Sequence, residues 1–403
     1  MKVRTMNVWT NAPPMLRQIS VRAAMEILLH EGPTSRAELA KKTGLSKQTM
    51  SEVIRTLEES GWVRVKGVVS GKVGRSAVTY EVAPDAGYVI GIDLGSTTVR
   101  VGVVDIAGRI LQEIEAPVDG HTGKALVLHL NKLVEASLKK AKAPRNKVLL
   151  AAVATPGVVD PERGTLSLAP NMADFGGLDV AKTLREILRC DVIIENDINA
   201  AVIGESWKGS SIGLDSLAFI SLGTGIGLGT LVNGKLMRGA KGAAGEISYL
   251  PFGADPYEPE SLERGALECA ISARGIVERH RPYESNLTAR DVLEQAEDGD
   301  VQALTTVEET ARLAALLVVS VDAMLDPQKI ILGGNVGRHP LMVRLIQEAL
   351  PACTKRMISV EASALGSRAT LMGAVAIALN QLHNALFSPQ DLPSEMRLPT
   401  LTT

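Results

Sequence analysis

Aromatic residues are scarce: four Phe, five Tyr and three Trp make up 3% of 403 residues. Cores built with so few rings must be filled by aliphatic and alanine side chains at close spacing. Cysteine is as sparse. Cys190, Cys269 and Cys353 lie far apart with no CxxC pair, which argues against a disulfide framework and for a reducing compartment. No zinc-ligand spacing is present. No uninterrupted apolar run reaches the roughly 18 residues of a bilayer span, so no membrane partner is expected. The opening MKVRTMNVWTNAPP puts no apolar stretch behind its basic residues, so no secretory signal is expected and a cytoplasmic location follows. The chain is too long for one small core, and two or three domains are expected.

The net charge of -2 hides an asymmetry. Residues 1–82 hold 13 Lys+Arg and 7 Asp+Glu; the rest hold 30 and 38. A basic head on an acidic body suggests that one end meets a polyanion. The bland alternative is chance asymmetry of surface charge.

Within residues 1–83, Leu16, Ile19, Ala23, Ala24, Ile27 and Leu28 recur at helical spacing up to Gly32-Pro33. Ser35-Arg36-Ala37-Glu38 reads as a capping box. The short helix it opens stops at Gly44, and Ser46 caps a third helix burying Met50, Val53, Ile54 and Leu57. Two helices about a short glycine-containing turn form a helix-turn-helix. Trp62–Val65 and Ala77–Val82 then read as strands joined by the basic, glycine-rich GVVSGKVGRS, a wing. The start of the third helix offers Ser46, Lys47, Gln48, Thr49 and Ser51 to base edges and phosphates. Lys72 and Arg75 on the wing suit phosphates or a minor groove. A winged domain used only for protein contacts is the alternative.

Residues 84–387 repeat one device. YVIGIDLGSTTVRVGVVD runs strand, loop, strand. Gly95 lets amides approach an anion, Thr97 adds a hydroxyl, and Asp93 sits where a carboxylate can bind a metal-bound water. A tight hairpin with a chance Asp remains open at this point. LAFISLGTGIGLGTLVNGKL repeats the pattern around Gly223, Thr224 and Gly225, which suggests an internal duplication clasping a phosphate chain. A third glycine turn, Gly333-Gly334, ends a strand after a long helix (301–326) and suits an adenosine ring. Between the first two loops, a hydrophobic strand delivers Asn196 and Asp197 to a helix start. There a carboxylate can bind a polyol and deprotonate a hydroxyl, or Asp197 can merely cap the helix.

Together the segments DLGSTT, ATPGVVD, APN, ENDINAA, SLGTGIGLG, GAAGEI, LEC and LGGN resemble the ROK family of repressors, open reading frames and sugar kinases. The likeness covers nearly the whole chain. It implies an α/β architecture: an N-terminal winged helix-turn-helix, then a duplicated actin/hexokinase-like (ribonuclease H-like) domain of two lobes. Residues 1–83 would be the DNA-binding domain and 84–387 the effector-binding and dimerisation domain. The proline-rich tail 388–403 is expected to be disordered. By resemblance, Asn171, Asn196, Asp197, Glu246 and Glu268 are sugar-hydroxyl ligands, Asp197 is the general base of the kinases, and Gly333 and Gly334 form the adenosine loop. Thr98 stands where family kinases commonly carry Lys or Asn. The family's zinc ligands, one His and three Cys, fall on Tyr249, Pro259, Ser261 and Ala266. These cannot supply zinc's ligand set, so no metal is expected.

Two functions follow from the resemblance. One is a regulator, most simply a repressor of carbohydrate genes. It would bind operator DNA as a homodimer on an inverted repeat and respond to a sugar or sugar derivative, with no cofactor required. The other is an ATP- and Mg²⁺-dependent sugar kinase acting through Asp197. The apolar helix 369–386 is expected to pack back on the N-terminal module or its linker.

Overall fold

The computed structural model describes residues 15–70, 76–159, 166–167, 180–280 and 286–387. The winged module comprises α1 (Met15–Glu31), β1 (Thr34–Ser35), α2 (Arg36–Thr43), α3 (Lys47–Glu59), β2 (Val63–Ser70) and β3 (Ser76–Val82). The Ser35 capping box is formed: Glu38 N donates to Ser35 Oγ at 3.3 Å, and Ser35 N donates to Glu38 Oε2 at 3.2 Å. Gly44 ends α2 at φ 72°, in the left-handed region that favours glycine. α3 buries the expected Met50, Val53, Ile54 and Leu57.

Two details differ from expectation. Leu16 and Ile19 of α1 are 79% and 42% exposed, while Val21, Ala24, Met25 and Leu28 are buried. Only the part of α1 from Ser20 onward lies over the three-helix core, so the buried stripe starts a turn later than the spacing implies. The wing strands also run further into the supposed connecting loop. β2 and β3 pair from Val63↔Val82 to Ser70↔Ser76, with a register shift between Val65 and Gly67, a bulge that lets a longer ribbon continue.

The body follows as β4 (Tyr88–Leu94), β5 (Thr98–Asp105), β6 (Ile110–Pro117), α4 (Gly123–Ala141), β7 (Val148–Thr155), β8 (Val158–Val159), β9 (Leu166–Ser167), α5 (Val180–Leu188), β10 (Asp191–Asn196) and α6 (Asp197–Lys208). Its second half holds β11 (Leu217–Leu222), β12 (Ile226–Val232), β13 (Lys235–Leu236), α7 (Pro259–Arg264), α8 (Ala266–Ile271), α9 (Ala273–His280), α10 (Ala289–Glu297), α11 (Val301–Leu325), β14 (Lys329–Gly333), α12 (Gly334–Gly337), α13 (Pro340–Cys353), β15 (Val360–Ala362) and α14 (Ala369–Phe387).

The two main sheets are ordered β10-β7-β4-β5-β6 and β13-β12-β11-β14-β15. In each, three antiparallel strands lead and two parallel strands extend the other side. The expected duplication is therefore present in the topology. α6 follows the first sheet but packs on β11 and β12 of the second; α14 follows the second sheet but packs on β4 and β7 of the first. The two helices cross at small residues. A side chain at Gly373 would collide with the Ala200 carbonyl, and one at Gly204 with the Ala369 carbonyl. Only glycine allows the backbones this close.

The far end of α14 reaches the winged module, as its apolar face suggests. Leu382, Leu386 and Phe387 share one continuous core with Val21, Leu28, Leu57, Trp62 and Tyr80.

Candidate functional site

Parallel pairing brings three strand ends to one edge. Asp93, next to last in β4, pairs with Ala154 of β7, and Asn196 ends β10 opposite Thr155. Ligands of open α/β sheets bind outside this carboxyl edge. The cap of α6 is Asn196, whose Oδ1 accepts from Ile198 N and Asn199 N, each at 3.0 Å. Its Nδ2 donates to Gly157 O at 3.1 Å. The capping role that the sequence offered to Asp197 thus falls on its neighbour. Asp197 is left in the first helical turn, with Oδ1 accepting from Ile198 N at 2.9 Å.

Four carboxylates converge here. Burial pushes Asp197 up to about 6, and the negative charges of Asp93 and Glu246 add to that, against the backbone amides that favour the anion. Burial also pushes Asp93 up to about 6, opposed by Arg100. Glu246 is raised by burial and by Glu268; Glu268 is raised by burial, opposed by the Ile226 amide and Arg264. Among the residues proposed from sequence, Asp93, Asp197, Glu246 and Glu268 therefore act on one another electrostatically. Such a group suits neutral polyols, whose hydroxyls donate to carboxylates, and disfavours an anion lying directly upon it.

The glycine loops surround this group. Gly95 N donates to Thr98 O at 3.0 Å, closing the first turn, and Thr97 is exposed beside it. Gly223 N donates to Gly225 O at 3.1 Å, with Thr224 exposed at the tip. Glu268 Oε2 accepts from Ile226 N at 3.2 Å, so the second loop and the Glu268 helix are one unit. Gly334 has φ 75°, and a side chain there would collide with the Leu222 carbonyl. The second and third loops thus lie against each other.

Two arginines that the sequence motifs do not single out also hold this site. Arg100 Nη1 lies 3.1 Å from Asp93 Oδ2, and its Nε lies 2.9 Å from Glu115 Oε2. The signal was available: in a hairpin turning at Gly95, Asp93 pairs with Arg100. Arg238 donates from Nε and Nη2 to Glu195 Oε2 at 2.9 and 2.6 Å. Glu195 in turn holds the Asn199 side chain at 3.2 Å. This fork links the loop before Gly242 to the start of α6, a contact across 43 residues that local pattern does not show.

At the family's zinc positions, Pro259 opens α7, Ser261 is buried within it and Ala266 opens α8. The Tyr249 hydroxyl donates to Glu263 O at 3.2 Å. Only two of the four carry a polar side-chain atom, and neither is a thiolate or an imidazole, so the set does not fit zinc.

On the winged module, Ser46, Lys47 and Gln48 are exposed at the start of α3. Some of the proposed hydroxyls are engaged locally. Ser46 Oγ accepts from Thr49 N at 3.1 Å and meets Thr49 Oγ1 at 2.8 Å; Ser51 Oγ donates to Lys47 O at 2.8 Å. Lys47 and Gln48 are therefore the side chains best placed to reach outward. Arg55, two turns on from Lys47 along the same face, is also exposed. Lys72, Arg75, Asn171 and the tail 388–403 lie outside the described residues.

A family model described as "ROK family" matches residues 89–381, and one described as "MarR family" matches residues 16–76. The xylose repressor of Caldicellulosiruptor bescii is 26% identical over 388 residues, covering 91% of this chain and 97% of its own. A solved ROK family transcriptional regulator, described as a homologue of the E. coli MLC protein, superposes with a TM-score of 0.72 at 20% identity. It covers 93% of this chain and 98% of its own, a likeness of fold. The ROK hexokinase from Thermus thermophilus superposes at 0.64 with 26% identity over 73% of this chain and 99% of its own. No described helix is long and apolar enough to cross a membrane.

Proposed function

The chain belongs to the ROK family, and from that premise we propose that it is a DNA-binding repressor of carbohydrate genes, controlled by a neutral sugar held at the carboxylate group. The observation that carries this reading is α14. At its start, Thr370 Oγ1 donates to the carbonyl of Asp197 at 3.3 Å; at its end, Phe387 packs on Trp62 of the winged module. One helix of 19 residues, about 28 Å long at helical rise, joins the sugar base to the DNA-binding domain. A sugar that favours one arrangement of Asp197 and α6 biases the seat of that helix, and with it the population of DNA-competent molecules.

One relative in the comparison is named a xylose repressor, so a pentose heads the ligand panel, followed by hexoses and N-acetylated amino sugars. We read the active form as a cytoplasmic homodimer presenting two α3 helices to an inverted repeat. The test is a band shift on the DNA upstream of the protein's own gene, titrated with the panel. Failure to bind that DNA, or binding that no sugar alters and Asp197→Asn leaves unchanged, sinks the proposal.

A second reading, sugar phosphorylation, is favoured by Asp197, whose raised pKa of about 6 suits a general base. Against it, the Mg²⁺ that the reaction needs fits poorly, because Asp93, its candidate ligand, is already paired with Arg100. ADP release from ATP over the same panel, lost in Asp197→Asn, would establish the kinase.

A further inference from the structure

The sugar wall of this family is ordinarily tied together by zinc, and this chain lacks the ligands. Something else must hold Glu268 against the second glycine loop. Arg264, at the end of α7, divides its guanidinium among three partners. Its Nη1 donates to Glu260 Oε1 at 2.6 Å, its Nη2 to Ser272 Oγ at 3.4 Å, and its Nε lies 4.0 Å from Glu268 Oε1. The other oxygen of Glu268 holds Ile226 N. The Arg264 side chain is 16% exposed, so these interactions are only partly screened.

Around this fork the chain packs tightly. Gly265 has φ 95°, and a side chain there would strike the Ser248 carbonyl. Tyr249 reaches from the next residue to Glu263 O. The stretch carrying Glu246 is thereby pinned to the α7–α8 junction carrying Glu268.

We propose that Arg264 is a built-in cationic clamp that stands in for the family's metal and positions Glu268 for the sugar, while the Tyr249 hydroxyl ties the Glu246 stretch to the same junction. The proposal rests on the reading of this region as a sugar site. A planar fork with five fixed donors can organise three separate groups, as a tetrahedral ion would. Its charge also supports the ionised form of Glu268 that accepts from hydroxyls. Arg264 is thus a positioning residue; it need not touch the sugar itself.

The test has two arms on the full-length chain. Zinc is measured in protein purified without added metal, and melting is followed with and without 1,10-phenanthroline. Little bound zinc and an unchanged melting temperature are expected; stoichiometric zinc whose removal lowers the melting temperature overturns the proposal, whether or not any variant folds. In the second arm, affinity for whichever panel sugar shifts the wild type is compared in Arg264→Gln and Arg264→Lys. A loss of about tenfold in Arg264→Gln is expected, with partial recovery in Arg264→Lys because the charge remains but the fork is lost. DNA affinity without sugar should stay at the wild-type value, which separates a local clamp from a general loss of structure. Wild-type sugar affinity in Arg264→Gln overturns the clamp while leaving the sensor reading intact. A wild type that binds no sugar overturns the sensor reading first, and this one with it.

Discussion

Trp62 of the winged module and Phe387 of α14 meet edge to face, with 5.6 Å between ring centroids and 90° between their planes. In a chain with so few rings, two are spent on the junction between the winged module and the duplicated body. Edge-to-face pairs have a preferred geometry, so this contact orients the two parts as well as joining them.

Phe387→Ala should therefore uncouple the two ends. Removing a buried ring costs about 3 kcal/mol or more, seen as a lower melting temperature. Sugar affinity should persist, because the ligand group lies at the opposite end of α14. The sugar response of operator binding should fall. Titration calorimetry with the sugar and a sugar-titrated band shift check the two halves; an undiminished response would show that coupling runs elsewhere.

The crossing of α6 and α14 makes a second prediction. Gly373 faces the Ala200 carbonyl with no room for a side chain, so Gly373→Val must force the helices apart. A loss of several kcal/mol, on the order of the large core effects, is expected, measured by chemical denaturation.

Acid titration should show opposing contributions, from the raised carboxylates on one side and from His383 on the other. Asp197 has a folded pKa raised to about 6, so the native state binds its proton more tightly than the unfolded chain does. Its contribution favours the fold at low pH and is lost as pH rises from about 4 to about 6. His383 is buried with its Nε2 2.9 Å from Ile106 O, and burial lowers its pKa to about 4. There the unfolded chain binds the proton more tightly, so stability falls as pH drops from about 6.5 to about 4. Asp197→Asn should raise stability at pH 7 by roughly 1–2 kcal/mol and leave a steeper acid limb. His383→Asn should flatten that limb. Melting curves from pH 4 to 8 on the three proteins check the signs.

On the DNA face, Lys47→Ala should weaken operator binding across all sequences and reduce the salt slope by about one. Gln48→Ala should relax discrimination at one base pair by roughly 1–3 kcal/mol. A Lys47→Ala variant with an unchanged salt slope would remove the start of α3 from the phosphate backbone.

Much of this could be read along the chain. Helix caps at Ser35 and Ser46, the strand–glycine–strand loops and the duplication depend on residues a few positions apart, and their signals survive without tertiary context. Asp93 and Asp197 could be nominated because each sits at a strand–loop or strand–helix junction, whereas Glu246 and Glu268 were implied only by the family resemblance. The true buried face of α1 and the full length of the wing could not. Those depend on what lies opposite: a core that begins under Ser20, and a bulge that carries pairing on to Ser70.

By itself, the sequence determined the two-part plan, a basic winged module on an acidic duplicated body, because composition and short-range spacing suffice for it. Only the tertiary structure decided that Asn196 and not Asp197 caps α6, that Arg100 pairs with Asp93, and that the stretch around Glu246 is pinned to Glu263 and Gly265. Each of these is a partnership between groups whose separation in space is set by sheet register and helix crossing. Burial then shifts the carboxylates in ways that no count of charges along the chain can show.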